Sequence, residues 1–280
     1  MLEEDYPRFM TRNTIEIISG RRPAGHFRYA LFDFDGTISV IREGWQEVMI
    51  PYMVEELQLL GTDESHEELY EIVREFVDRL TGKETIYQAM ALADEISKRG
   101  GEPLDPLVYK RRYLDRLWKR IEGRVAGLKS GQIISEHMMM KGSLALLEGL
   151  RARGVELYLA SGTDHKDVKA EAGALELCGY FGDRIYGALD NSREYSKDKI
   201  IRNILSSRGL SGESLMVFGD GFVEIEYCRA AGGFAVGVAS DEINRCGMNE
   251  WKRNRLIAAG ADIIITDYQE VEALMGFLFP

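Results

Sequence analysis

Two aspartates two residues apart close an apolar run in Asp33-Phe34-Asp35-Gly36-Thr37. An ionised carboxylate there is costly unless something compensates it, and a hard cation with oxygen ligands does so. Gly36 permits a sharp exit from the run. A lone aspartate would read as a turn or a cap; the pair followed by Gly-Thr favours a site. A further acid stands in Phe218-Gly219-Asp220-Gly221, with Glu224 one helical turn later. By itself this is a Gly-Asp-Gly turn. With the first motif it makes two strand ends that present carboxylates. Ser161-Gly162 follows another apolar run and precedes an expected helix start, where free backbone N–H groups can bind an anion; alone, it reads as an ordinary N-cap. Ser196-Lys197-Asp198-Lys199 lies just ahead of the stripe Ile200, Ile201, Ile204 and Leu205. A lysine here can neutralise anionic charge at the same sheet edge, although most lysines are simply solvated.

Positioning these groups takes a sheet. Residues 29–34 form a nearly continuous apolar run, the pattern of a strand buried on both faces. From Gly142 onward strand and helix patterns alternate. Strands are expected at 155–160, 185–189, 215–218, 234–238 and 262–265. Helices are expected at 144–151, 200–205, 224–231 and after the last strand. Such alternation implies an α/β fold with a parallel sheet covered on both faces, and ligands then bind beyond the carboxyl ends of the strands. Residues 41–139 differ: their spacing is helical, with stripes such as Leu69, Ile72, Val73, Phe76 and Leu80, and Tyr109, Tyr113, Leu117, Trp118 and Ile121. They are expected to form an all-helical insertion. Residues 1–28 read as an N-terminal arm with one short edge strand at 13–18, which leaves 29–40 and 140–280 for the core.

The 280-residue chain is 45% hydrophobic and 29% charged, so a sizeable core is possible and wholesale disorder is excluded. Its formal net charge of -11 argues against nonspecific nucleic-acid binding, while leaving room for a bound cation. No apolar run is long enough for a membrane helix. The acidic start Met1-Leu2-Glu3-Glu4-Asp5 is unlike a secretory signal. Three cysteines, far apart, support neither a disulfide framework nor a cysteine-rich zinc site, and a cytoplasmic location is expected. His26, His66, His137 and His165 have no spacing suited to zinc.

In their order the four motifs resemble the haloacid dehalogenase superfamily, most of whose members are magnesium-dependent phosphohydrolases. The resemblance spans 29–40 and 140–275. Asp33-Phe34-Asp35-Gly36-Thr37 matches the family's Asp-x-Asp-Gly-Thr pattern without departure. Residues 219–232 are similar to its acid motif leading into a helix that ends Ala-Gly, with Glu224 where Asp is commoner. The insertion looks like the family's helical cap on a Rossmann-like core. Carried over, the resemblance implies that Asp33 is the nucleophile and forms an aspartyl-phosphate. Asp35 is then the general acid and later the base, and crowding by like charges favours its protonated form. Mg2+ is held by Asp33, Asp220 and the backbone carbonyl of Asp35, with Glu224 as a further or water-mediated ligand. Thr37, Ser161, Gly162 and Lys197 attend the phosphate, Lys199 being the alternative lysine.

The implied activity is hydrolysis of a small phosphorylated metabolite, a sugar phosphate by default. A phosphomutase that returns the phosphoryl group to a sugar is the first rival. A phosphoacceptor signalling module is the second, and the insertion after Asp-x-Asp argues against it. Dehalogenation proper needs neither metal nor Asp35. In the insertion, Lys110, Arg111, Arg112, Arg116, Lys119, Arg120 and Arg124 form a basic face, expected to be balanced by the acids of 63–75. Arg42 and Trp45 either line the entrance or pack at a hinge. Met138, Met139 and Met140 are expected as packing where the chain returns to the core.

Overall fold

The computed structural model describes residues 15–189, 197–206 and 212–280. The apolar runs become seven strands: β1 (Ile15–Ile17), β2 (Tyr29–Phe32), β3 (Glu156–Asp164), β4 (Ile185–Ala188), β5 (Leu215–Gly219), β6 (Phe234–Val238) and β7 (Ile263–Ile265). They join in the order β1-β7-β6-β5-β2-β3-β4. β1 pairs antiparallel with β7, and the other pairs are parallel. The expected edge strand near residue 15 thus belongs to the same sheet as the core, and Glu16 beneath it takes two hydrogen bonds from Arg253 (2.6 and 2.7 Å).

β2 is central because all four of its residues are buried. Phe32 is in register with Phe218 on one side and Leu159 on the other, and the Phe32 and Phe218 rings stack at 4.5 Å. Asp33 extends the pairing by donating its N–H to the Phe218 carbonyl (2.9 Å). The two acid-bearing strand ends therefore leave the sheet side by side.

Helices cover the sheet: α5 (Ser143–Ala152), α6 (His165–Ala174), α7 (Cys178–Phe181), α8 (Lys197–Ser206), α9 (Phe222–Ala230), α10 (Glu250–Ala258) and α11 (Val271–Leu278) follow α1 (Gln46–Gln58), α2 (His66–Leu80), α3 (Thr85–Lys98) and α4 (Pro106–Lys129). The first four form a strandless layer packed on one another. α2 begins with a capping box: Ser65 Oγ accepts from the Glu68 N–H (3.2 Å), and Glu68 accepts from the Ser65 N–H (2.8 Å). α4 begins with Asp105 capping Leu107 and Pro106 in the first turn. The two connections to this layer run together, with Val40 N–H on the Met138 carbonyl (3.0 Å) and Met140 N–H on the Ile38 carbonyl (2.8 Å). Met139 and Met140 are buried there.

Three details depart from the sequence reading. Trp118 is not part of the buried stripe: Tyr109, Tyr113, Leu117 and Ile121 are buried, whereas Trp118, one residue round the helix, is 48% exposed. The basic face of α4 is balanced by acids in and just before α1, through Arg112–Glu56, Arg116–Glu55, Arg120–Glu47 and Arg124–Glu43. Finally, the strand expected to end at residue 160 runs on past Ser161 and Gly162 before the helix start. β3 continues to Asp164 through an irregular register with β4, and α6 starts at His165. No helix among the described residues is long and apolar enough to cross a membrane.

Candidate active site

The carboxyl ends of β2 and β5 bring Asp33, Asp220 and Glu224 together. One carboxylate oxygen from each lies within 4.8 Å of the others. Asp33 and Glu224 are buried. Glycines make the convergence possible. Gly36 has φ +75°, and a Cβ there would come within 2.2 Å of Asp220 Oδ2. A Cβ on Gly219 would meet Glu224 Cγ at 2.2 Å. Glu224 Oε1 accepts from the Gly221 N–H at the start of α9 (2.9 Å), so it caps its own helix. Hard oxygen donors in this arrangement suit a small divalent cation.

Thr37 is buried and turned toward Asp220: its Oγ1 accepts from the Asp220 N–H (3.0 Å) and donates to Oδ1 (3.4 Å). It orients that acid and does not line the cavity described below.

The Asp35 side chain leans the other way, toward β3. Oδ2 accepts from Ser161 Oγ (3.2 Å) and Thr163 Oγ1 (2.9 Å), and Ser161 Oγ in turn accepts from the Thr163 N–H (3.0 Å). Oδ1 is buried with no hydrogen-bond partner; the nearest cation is Arg42 Nε at 3.9 Å. The Asp35 side chain is thus not part of the acid cluster that Asp33, Asp220 and Glu224 form.

Arg42 is fixed from behind by Glu171 of α6, with Nε 3.1 Å from both carboxylate oxygens and Nη2 2.7 Å from Oε1. Burial works to lower the Arg42 pKa, and Glu171 and Asp35 more than offset it, so the guanidinium stays charged. Burial pushes the Glu171 carboxyl up against the pull of Arg42.

A lysine absent from the sequence reading completes the cluster. Lys252 of α10 is buried, with Nζ 2.7 Å from Asp220 Oδ2 and 2.6 Å from Glu242 Oε1. Its burial opposes the charge, but Asp220 and Glu242 outweigh that and hold the ammonium protonated. Burial raises the Glu242 carboxyl. Of the expected phosphate-site lysines, Lys197 lies in the first turn of α8, with its side chain outside the described residues, and Lys199 is exposed. Sequence offered little to mark Lys252, because its stretch is dominated by solvated charges.

A cavity of about 100 Å³ lies over these acids. Asp33, Asp35, Asp220, Ser161, Gly162 and Thr163 form its floor. Trp45, Tyr113, Gln88 and the 81–83 loop between α2 and α3 form its walls and roof. The roof lies directly on Gly162 of the floor and on Gly221, next to Asp220. A Cβ on Gly162 would be 3.0 Å from the Lys83 carbonyl oxygen, and one on Gly221 3.0 Å from Gly82 Cα. Gln88 is buried; its Nε2 donates to the Leu80 carbonyl (3.1 Å), while its Oε1 has no donor.

This sheet order, with a metal-ready acid cluster at adjacent strand ends and a helical layer above, defines a known class. A family model for haloacid dehalogenase-like hydrolases matches residues 27–232, and the chain belongs to that family. Among solved structures it is similar to a predicted phosphoglycolate phosphatase from Haemophilus somnus 129pt, at 16% identity and TM-score 0.58, covering 89% of this chain and 98% of that one. It is also similar to a HAD hydrolase of family IA, variant 3, from Entamoeba histolytica HM-1:IMSS (18% identity, TM-score 0.60, 91% and 100% covered). A third is a CbbY variant from Rhodobacter sphaeroides in complex with xylulose-(1,5)bisphosphate (21% identity, TM-score 0.56, 90% and 99% covered). At these identities the likeness shows the fold. A search of curated protein sequences finds no significant match.

Proposed function

We propose that the chain is a magnesium-dependent phosphatase acting on a small, hydroxylated phosphate ester such as a sugar phosphate. The observation that carries this reading is the convergence of Asp33, Asp220 and Glu224 within 4.8 Å, with Asp33 and Asp220 opening onto a cavity. Those three residues would hold the ion, which when bound offsets charge between the carboxylates and the phosphoryl oxygens. Residues 41–139 serve in this reading as the cap, and the unpaired thiols Cys178, Cys228 and Cys246 suit a reducing cytoplasm.

The chain's own groups divide the chemistry. Asp33 attacks phosphorus as the ester oxygen leaves, giving an aspartyl-phosphate. Asp35 protonates that oxygen. Ser161 and Thr163 occupy its Oδ2, so the unpartnered Oδ1 is the atom free to carry the proton. Asp35 next takes a proton from water, which attacks the aspartyl-phosphate and releases inorganic phosphate with Asp33 restored. Lys252 offsets the charge of Asp220, and Thr37 fixes its direction. On the cap side the unmet acceptor of Gln88 and the Trp45 and Tyr113 rings suit a substrate with hydroxyl groups on an apolar ring face.

Hydrolysis of 4-nitrophenyl phosphate with Mg2+ tests this. Turnover that EDTA stops and Mg2+ restores is expected, with Asp33→Asn inactive and folded. Turnover by Asp33→Asn would remove the nucleophile. With sugar phosphates, release of inorganic phosphate is expected, whereas an isomerised sugar phosphate would point to a mutase.

A further inference from the structure

Helix α10 carries two cations one turn apart that serve different ends. Lys252 faces the core and holds Asp220. Arg255 crosses to the cap. Its guanidinium donates to the backbone carbonyls of Asp78, Arg79 (2.8 Å) and Thr81 (3.2 Å). These carbonyls close α2, where a helix leaves acceptors unsatisfied and its dipole favours a positive charge. Behind the guanidinium stand the rings of Phe222 (4.6 Å to the centroid) and Trp251 (5.0 Å), both from the core. One residue beyond the last carbonyl gripped, Gly82 meets Gly221; one further, the Lys83 carbonyl meets Gly162. The grip therefore sits at the root of the loop that roofs the cavity. Lys83 lines that cavity, rests near the Tyr87 ring (5.7 Å), and has no acidic partner among the described residues.

We propose that Arg255 is a positioning residue that latches the cap over the site, holding the 81–83 loop on Gly162 and Gly221 and thereby placing Lys83 over the phosphoryl pocket. The placing of Lys83 rests on the phosphatase reading; the latch itself does not. The residue touches no substrate and works by raising the population of the closed form. Losing it lowers the fraction competent to bind, which raises the apparent dissociation constant by the same factor and leaves the saturated rate alone.

Two readouts test this on the full chain, comparing wild type with Arg255→Ala and Arg255→Lys. In Arg255→Ala, backbone amides of 79–85 are expected to exchange hydrogen about tenfold faster, with β5 and α9 unchanged. KM for 4-nitrophenyl phosphate is expected to rise about tenfold with kcat within about twofold. Arg255→Lys keeps the charge but not the planar fork, and falls between the two. Unchanged exchange at 79–85, or an equal rise through β5 and α9, overturns the latch, as does a fall in kcat at constant KM. If wild type turns over no phosphate ester, the phosphatase reading fails while the exchange comparison still decides the latch.

Discussion

Glu171→Gln probes the least exposed ion pair near the reacting groups. The Arg42 and Glu171 side chains are only 9% and 4% exposed, and three close N–O contacts join them. Removing one partner of such a pair strands a buried charge, at a cost of about 3–5 kcal/mol. Two acids remain near Arg42, Asp35 at 3.9 Å and Asp167 at 4.0 Å, and recover part of that loss. The expected loss is thus at the lower end, about 3 kcal/mol. At roughly 2–4 °C per kcal/mol for a large domain, the melting temperature should fall by roughly 6–12 °C. Activity should fall further than stability. The freed guanidinium is drawn to Asp35 Oδ1, the atom assigned the proton, and pairs with it in place of Glu171. Thermal melts followed by circular dichroism, with turnover measured well below the transition, check both parts. The double variant Arg42→Met/Glu171→Leu should regain most of the stability and none of the activity. A Glu171→Gln melt within about 1 °C of wild type, with normal turnover, would show that the pair neither stabilises the fold nor bears on Asp35.

Three further outcomes are expected. Gly162→Ala places a Cβ 3.0 Å from the Lys83 carbonyl, so KM should rise while the melt hardly moves; an unchanged KM would mean the roof yields freely. Lys252→Met leaves Asp220 and Glu242 unpaired across a buried site, and should cost about 3–5 kcal/mol in urea unfolding; a neutral substitution would show that the ammonium is dispensable. Cys178 and Cys246 are exposed and should react quickly with a thiol reagent at neutral pH. Cys228 is buried, with its thiol pushed far above the ordinary range by that burial, and should react only on unfolding. Rapid labelling of all three thiols would contradict the packing around α9.

Strands such as β2 and β5 were legible because burial on both faces leaves an unbroken apolar run, and Gly36 and Gly219 marked places where the backbone must turn hard against a carboxylate. The adjacency of β2 and β5 was not legible from pattern alone. It came from the family resemblance, since long-range strand order leaves no local trace. Ser161 misled in a physically simple way. A hydroxyl followed by glycine looks like a helix cap, yet here it serves Asp35 while the strand runs on to Asp164. Glu171, Thr163 and Lys252 escaped notice because their importance lies wholly in partners distant in sequence, Arg42, Asp35 and Asp220. Lys252 was further hidden in α10, where only it and Leu256 are buried, too few to print a helical stripe. Charge balance on α4 failed for the same reason, because acids close in space came from α1 and not from the denser acidic run.

Central to the proposed mechanism is the phosphoryl group passing to Asp33 beside Asp220 and Glu224. Rapid acid quench of wild type turning over 4-nitrophenyl phosphate with Mg2+, followed by peptide mass analysis, reads this directly. One added phosphoryl group is expected on the peptide containing Asp33, absent in Asp33→Asn and after EDTA. Phosphate released at the wild-type rate by Asp33→Asn, or a phosphoryl group found only on some other residue, would contradict it.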